Sequence, residues 1–557
     1  MPIVLYLCAL SSLLFSATCF LPSFEVALFG FPLTFAATVA VFILTRRFIA
    51  EPSRKRLSVL RKLLEYLPFI LLAGFVFRRS GPSDTAFAYD LVSVLLWVAA
   101  SALSLVALFR LGDKRVAKLY PQIGEEKRVK KSLGVQALEW VDALLQAACI
   151  VLLIDLFLFQ LYAIPSESMV PQFMIGDRVV VPKTVSGPKF PLSDVGIPRM
   201  RGYDRGDIVV FNNPHYNDTK ESRVRSFASQ LVYKVTFTLV NINRDEFGVP
   251  KADPLVKRIC GVPGEKLMLV DGVLYGKRAN DTDFAPVDAD AQWACWNLNA
   301  LPLSEKNQVK QFPITDEGFA VMQSVESTRS NVDLAAAASE CRELVAKFAR
   351  LKTARDASTD APDLVPRERR EIVDMFRKNA ELTRELLTTN GGIAWFDAFM
   401  TSWTKDQTRA NLYDRQEMKA SLLVKLTLGR LIVRNAELFT SGATADQFNE
   451  DAVRKSLGAD AENLSLYMFY HDQRNMPEFP KGDEYIPADN YFMMGDNRFN
   501  SLDMRHSYEY RLVPIDPKDE YSVLYRSNLS PQYVPITRII GTANIRFWPI
   551  GRAGSVK

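Results

Sequence analysis

Apolar residues crowd the opening part of this chain and thin into short runs after it. Long apolar stretches occupy roughly 3–20, 24–45, 63–77, 88–109 and 139–162. A helix needs about 20 apolar residues to cross a bilayer, so the third stretch is the marginal one. From Ala163 onward the pattern changes to short β-branched runs punctuated by Gly and Pro. Arg178–Val181 and Asp207–Phe211 have strand length and composition. Residues 267–275 read as a hairpin, because Asp271-Gly272 between apolar strands suits a two-residue turn. Residues 538–548 read as one more strand.

Between about 280 and 480 the spacing turns helical. Asn331–Lys352 places Leu344, Val345, Phe348 and Leu351 at helical intervals. Arg367–Leu387 does the same with Ile372, Met375, Phe376, Ala380 and Leu387, and Gly391-Gly392 supplies a stop. A third helical run covers 409–438, and 353–366 reads as an inter-helix loop. The expected layout is a transmembrane region over 1–162 with about five spans, then a mostly-β domain in two parts, 163–279 and 481–557, separated by a mainly α-helical insertion over 280–480.

Charge sets the orientation of this layout. Arg46, Arg47, Arg54, Lys55, Arg56, Arg61 and Lys62 fall between the second and third runs. Arg110, Lys114, Arg115, Lys118, Lys127, Arg128, Lys130 and Lys131 fall between the fourth and fifth. The positive-inside rule puts both loops in the cytoplasm and everything after Tyr162 on the far side. Arg78 and Arg79 then fall on the wrong side. Asp155 is expected near the outer interface, orienting the last span. The first run lacks the basic start of a cleavable signal peptide, since it opens on Met1-Pro2. The net charge of +5 is small for 557 residues and gives no case for nucleic acid. Cys8, Cys19 and Cys149 lie in apolar runs, no Cys-x-x-Cys pair occurs, and neither a metal nor a cofactor is expected. A disulfide among Cys260, Cys295 and Cys341 would suit an oxidising compartment, with the pair left open.

Three polar segments could carry chemistry. They are Ile164-Pro165-Ser166-Glu167-Ser168-Met169-Val170-Pro171, Val256–Glu265 and Met494–Arg505. Singly each has a plain reading: a Ser-rich turn, a strand lysine with its stem packed down, and a polar loop closed by an Asp503–Arg505 pair. Together they resemble signal peptidase I. That family has Phe-Leu-Phe-Gln before Ile-Pro-Ser-x-Ser-Met-x-Pro, matched here by Phe157–Gln160 and Ile164–Pro171. It also has Arg-Gly-Asp-Ile-Val-Val-Phe, matched at Arg205–Phe211, and Lys-Arg-x-x-Gly-x-Pro-Gly-Glu/Asp, matched at Lys257–Glu265. Its Gly-Asp-Asn-Arg-x-Asn-Ser-x-Asp-x-Arg is matched at Gly495–Arg505. The resemblance covers roughly 157–277 and 480–550.

The resemblance, which covers neither the other predicted spans nor the insertion, implies a signal-peptidase-type β domain at the inner membrane; with the multi-span helical anchor that the apolar runs predict, the catalytic domain is expected on the extracytoplasmic side. It implies a serine endopeptidase that removes signal peptides from exported preproteins, cutting after small residues of the Ala-x-Ala type. Ser168 would be the nucleophile and Lys257 the general base. Ser166 and the Ser168 backbone would hold the oxyanion, Ser501 would orient the lysine, and Asp503 would pair with Arg505. Gly495 would let the backbone approach, and Ile164, Met169, Phe173 and Val256 would line substrate pockets. The partners implied are preproteins and the bilayer, with export machinery as a further contact. A lysine base works only when neutral, so a pKa of about 10.4 must fall to roughly 7–8 by burial. Val256, Ile259 and Val262 supply apolar neighbours for that. Glu167 stands where the family often has glycine and is expected to point to solvent. Met169–Met174 is expected to rest on lipid. Two other readings compete: a self-cleaving repressor-type Ser-Lys protease, disfavoured by the missing DNA-binding start, and an idle membrane receptor with the same fold, disfavoured because Ser168 and Lys257 are both present.

Overall fold

The computed structural model describes residues 1–20, 24–81, 84–123, 132–216, 219–235, 251–355 and 370–556, with isolated positions between 240 and 248. Lys127, Arg128, Lys130, Lys131 and most of the loop expected at 353–366 lie outside the described residues.

The apolar runs become helices α1 (Pro2–Phe20), α2 (Phe24–Ala50), α3 (Arg54–Ser80), α4 (Phe87–Arg110) and, after the short α5 (Asp113–Leu119), α6 (Leu133–Phe157). Among the described residues four stretches are long and apolar enough to cross a membrane: Pro2–Phe20, Gly30–Ala50, Phe87–Arg110 and Leu133–Phe157. The run 63–77 sits in α3, outside this set, because charged residues flank it at both ends. Helix α3 is instead packed between α2 and α4, burying Leu60, Leu64, Leu67, Leu71 and Phe75. Ser53 caps it by accepting from the Arg56 N–H. Helix α6 is mostly apolar and has no fully buried residue, although Leu153, Leu156 and Phe157 pack on the bundle and Asp142 pairs with Lys62 at 2.6 Å.

Arg61 donates to the Leu111 carbonyl and pairs with Asp113 at 2.8 Å, so both basic loops lie at one end of the bundle. Arg78 is at the other end, buried against Asp90 at 2.6 Å and Ser93 at 2.8 Å. It is therefore an internal ion-pair partner and not a loop charge, which removes its conflict with the charge rule. Arg79 donates to the Leu192 carbonyl at 2.7 Å, and Phe190 packs on Phe75, Trp97 and Phe157. A loop of the later domain thus closes the far end of the bundle. Lys183 donates to the Asp155 carbonyl near the end of α6.

Among the described residues seven strands precede the insertion: β1 (Phe159–Ala163), β2 (Arg178–Pro182), β3 (Ile208–Phe211), β4 (Leu255–Gly261), β5 (Glu265–Val270), β6 (Val273–Arg278) and β7 (Ala285–Pro286). Eight follow it: β8 (Met476–Phe479), β9 (Asn490–Met494), β10 (His506–Pro514), β11 (Leu524–Leu529), β12 (Val534–Pro535), β13 (Ile539–Thr542), β14 (Ile545–Trp548) and β15 (Gly554–Ser555). They form sheets ordered β1-β2-β14-β15, β12-β9-β4-β3-β13, β7-β6-β5-β8 and β10-β11. The β5–β6 hairpin turns at Asp271-Gly272, with φ of 52° and 80°, as a two-residue turn with both central φ positive requires. The strand expected over 538–548 is two strands. It breaks at Ala543–Asn544, so that β13 pairs with β3 and β14 with β2 in a different sheet. Strands cross from one sheet to another in this way at the corner of a packed pair.

The helical segment runs from Asp288 to Arg474, between β7 and β8. Its centre is Leu412–Thr440, against which Leu334–Arg355, Asn379–Thr388 and Ala452–Phe469 pack around Phe348, Leu386, Phe396, Leu422 and Ile432. The expected helix over 367–387 is broken at Lys378 into Ile372–Arg377 and Asn379–Thr388. Gly391 and Gly392 do not stop it. They open the next helix, Gly392–Thr401, because the chain has already left the helical conformation at Thr389.

Candidate active site

Strand β4 is central in the five-stranded sheet, hydrogen-bonded to β3 on one side and β9 on the other, with Lys257 opposite Val209. The Arg205–Phe211 motif supplies that neighbour: Ile259 N–H donates to Asp207 O and Gly206 N–H to Ile259 O. Lys257 is consequently only 3% exposed. Its amine lies 2.7 Å from Ser168 Oγ. Burial pushes the amine down to about 8, against a smaller opposing pull from Asp503 and Asp496. Among the described residues no carboxylate lies within ion-pair distance of Lys257.

The two nearby acids are committed elsewhere. Asp503 accepts from Arg505 Nε at 2.8 Å and Nη2 at 2.9 Å, and from the Gly495 N–H at 2.9 Å. Burial works to raise the Asp503 carboxyl, and the Arg505 guanidinium overcomes it and holds the group well below the usual carboxylate range. Asp496 binds Arg258 through two contacts of 2.8 and 2.7 Å. These pairings let two carboxylates sit near an amine without charging it.

Ser168 is half-buried on the turn after β1. Ser166 Oγ is exposed and 3.4 Å from Ser168 Oγ. Among the described residues the Ser168 N–H has no protein acceptor, so it is an available donor beside the hydroxyl. Asn497 holds this turn from below: its N–H donates to Ser168 O at 3.1 Å and its Nδ2 to Glu167 O at 3.0 Å. A Cβ on Gly495 would collide with Ser168 O and the Ser501 side chain, so only glycine allows that approach. The bond from Ser501 to the lysine amine is not formed. Ser501 Oγ is buried and has no hydrogen-bond partner among the described residues.

Ile164, Met169 and Phe173 are buried in one cluster with Val179, Val181, Ile208 and Val210, and Val256 packs on its edge. Met169, Val170, Phe173 and Met174 are at most 2% exposed, so this segment is core and not a lipid-facing surface. Glu167 is also corrected. It is 5% exposed, and its carboxylate accepts from the Lys310 and Gln311 N–H groups of the insertion. Sequence reading missed Asp496 and Asn497 as site-builders, although both lie in a motif it had singled out. Cys260, Cys295 and Cys341 are all unbonded. A cavity of about 400 Å³, lined by Lys189, Arg223, Lys251 and Arg538 among others, contains neither Ser168 nor Lys257.

A family model described as signal peptidase, peptidase S26, matches residues 137–321 and 430–548, more than half of the chain. The unmatched 322–429 lie within the helical segment. Signal peptidase I of Haemophilus influenzae is 26% identical over 203 residues, 34% of this chain and 54% of that protein. Signal peptidase I of Buchnera aphidicola from Schizaphis graminum is 43% identical over 68 residues, 12% of this chain and 22% of that protein. Signal peptidase I P of Bacillus subtilis subsp. natto is 26% identical over 176 residues, 31% of this chain and 68% of that protein. The chain thus spans about half or less of the first two relatives. A family match over most of the β domain, on a chain that joins Ser168 to Lys257, leads to one conclusion: the protein belongs to the signal peptidase family, peptidase S26.

Proposed function

We propose that this protein is a membrane-anchored endopeptidase of the signal peptidase I type, with Ser168 as nucleophile and Lys257 as general base. The observation that carries the reading is the 2.7 Å contact between Ser168 Oγ and a buried lysine amine with no carboxylate against it. The hydroxyl proton passes to the neutral amine as Oγ attacks the scissile carbonyl. The ammonium then returns it to the leaving amine, and a water repeats the cycle on the ester. The free Ser168 N–H and the Ser166 hydroxyl are placed to receive the negative charge on the carbonyl oxygen. The cluster around Ile164, Met169, Phe173 and Val256 forms the apolar floor for small residues of an extended substrate.

Membrane geometry supports a signal peptide as substrate. Ser168 closely follows the end of α6. Strand β1 buries Gln160 and exposes Phe159 and Leu161, the reverse of the usual alternation, and Phe547, Trp548 and Ile550 of the same region are exposed too. An apolar face beside the last span suits contact with lipid. The basic loops at the opposite end of the bundle support an orientation with that end in the cytoplasm and the site on the outer side of the inner membrane. Cleavage of a model preprotein by the full chain tests the reading. Wild type cuts, while Ser168→Ala and Lys257→Ala lose at least about a thousandfold in kcat, the scale of removing a nucleophile or its base. Normal processing by Ser168→Ala would remove the proposed chemistry.

A further inference from the structure

The insertion is tied to the active site at both of the loops that build it. On the first loop, Glu167 sits between Ser166 and Ser168 with its carboxylate buried. It accepts 2.5 Å from the Lys310 N–H and 3.1 Å from the Gln311 N–H. Beside it Val170 and Met174 of the same turn pack on Leu298 and Val309 of the insertion. On the second loop, Cys295 N–H donates to Asp496 O and Arg498 N–H to Cys295 O, a short parallel bridge. Arg498 binds Asp290 through contacts of 2.9 and 2.6 Å. Asn497, held inside that bridge, reaches back to the carbonyls of Glu167 and Ser168.

A buried carboxylate is costly unless compensated, and none of the ion pairs described here includes Glu167. Two backbone N–H groups are its compensation, and charge-assisted bonds of this kind are directional. The turn carrying Ser168 is therefore clamped between Asn497 and residues 309–311. We infer that Glu167 is a positioning residue, and that the start of the helical insertion works as an active-site clamp that holds Ser168 Oγ on the Lys257 amine. The inference rests on Ser168 being the nucleophile. It gives the insertion a part in catalysis that the motif set does not contain.

The test uses the full chain reconstituted in phospholipid vesicles with a model preprotein. Glu167→Ala lowers kcat at least tenfold with KM changed less than twofold, because the clamp sets geometry and does not touch substrate. Glu167→Gln gives a smaller loss, since its amide nitrogen cannot accept the second N–H. Gln311→Pro removes one donor without altering Glu167, and the double substitution Glu167→Ala/Gln311→Pro is no slower than Glu167→Ala alone. A kcat within twofold of wild type for Glu167→Ala overturns the inference, as does a double substitution whose losses multiply. If Glu167→Ala does not fold, Glu167→Gln and Gln311→Pro are read in the same way. Ser168→Ala runs alongside. Activity there removes the nucleophile reading itself, whereas an inactive Ser168→Ala beside an unimpaired Glu167→Ala removes only the clamp.

Discussion

A lysine amine acts as a base only while it carries no proton, and burial in the central sheet lowers the pKa of Lys257 toward the range in which the proposed base would work. Its pKa is lowered, so the basic form gains population as pH rises through about 8 and is lost as pH falls below it. We therefore expect kcat/KM to climb with pH on one limb centred near 8, measured with a short peptide substrate; a profile flat from pH 6 to 10 would contradict a lysine base. Lys257→Arg is expected to be as inactive as Lys257→Ala, since a guanidinium stays protonated throughout that range. Asp503→Asn is a stability test. It strands the fully buried Arg505 without its carboxylate, a loss of roughly 3–5 kcal/mol in urea unfolding of the extramembrane domain. Ser168, Lys257 and the Asp503–Arg505 pair were legible because their motifs carry them in order along the chain. Glu167 was misread as solvated because its two donors lie over 140 positions away, in a segment with no recognisable motif. Ser501 was expected on the amine, and its hydroxyl has no hydrogen-bond partner among the described residues.

The Asp271-Gly272 turn follows from local pattern, whereas the break at Lys378, the helix opened by Gly391-Gly392 and the sheet each strand joins do not. The Asp271-Gly272 turn is specified by its own two residues, whose positive φ angles suit that pair. The break of 538–548 into β13 and β14 has only a weak local signal, Gly541 and Asn544 between two apolar runs, and it is the pairing with two different sheets that divides the strand. Strand β1 shows the same limit. Its alternation is clear in the sequence, but which side faces water is decided by β2 and β14. The outward side carries Phe159 and Leu161, beside the exposed Trp548 and Ile550. Leu161→Ser combined with Trp548→Ser is expected to slow cleavage of a vesicle-embedded preprotein several-fold and to leave cleavage of a soluble peptide unchanged. Equal loss on both substrates would mean that these residues serve the fold and not the membrane.

At the scale of the molecule, the four-sheet β region and the helical segment meet around the turn that carries Ser168, and the bundle meets the β region at the loop of Phe190 and Leu192. The bundle packs Arg78 inside against Asp90, while the basic loops collect at the opposite end. Single cysteines report the orientation: Ser530→Cys should react with a membrane-impermeant maleimide on intact cells or spheroplasts, and Lys55→Cys only after permeabilisation. The reverse pattern would place the serine in the cytoplasm.

By itself the sequence determined four of the five apolar helices as long enough to span, the Asp271-Gly272 turn and most strand-forming runs, and it singled out Ser168 and Lys257 as candidates, because each depends on side-chain chemistry within a few positions. Only the tertiary structure decided that the two meet at 2.7 Å, that the neighbouring acids are spent on Arg505 and Arg258, and that the insertion grips the serine turn. Those outcomes hang on groups separated by tens to hundreds of residues, and burial, which lowers the pKa of the amine, is a property of the assembled core and of no single stretch of chain.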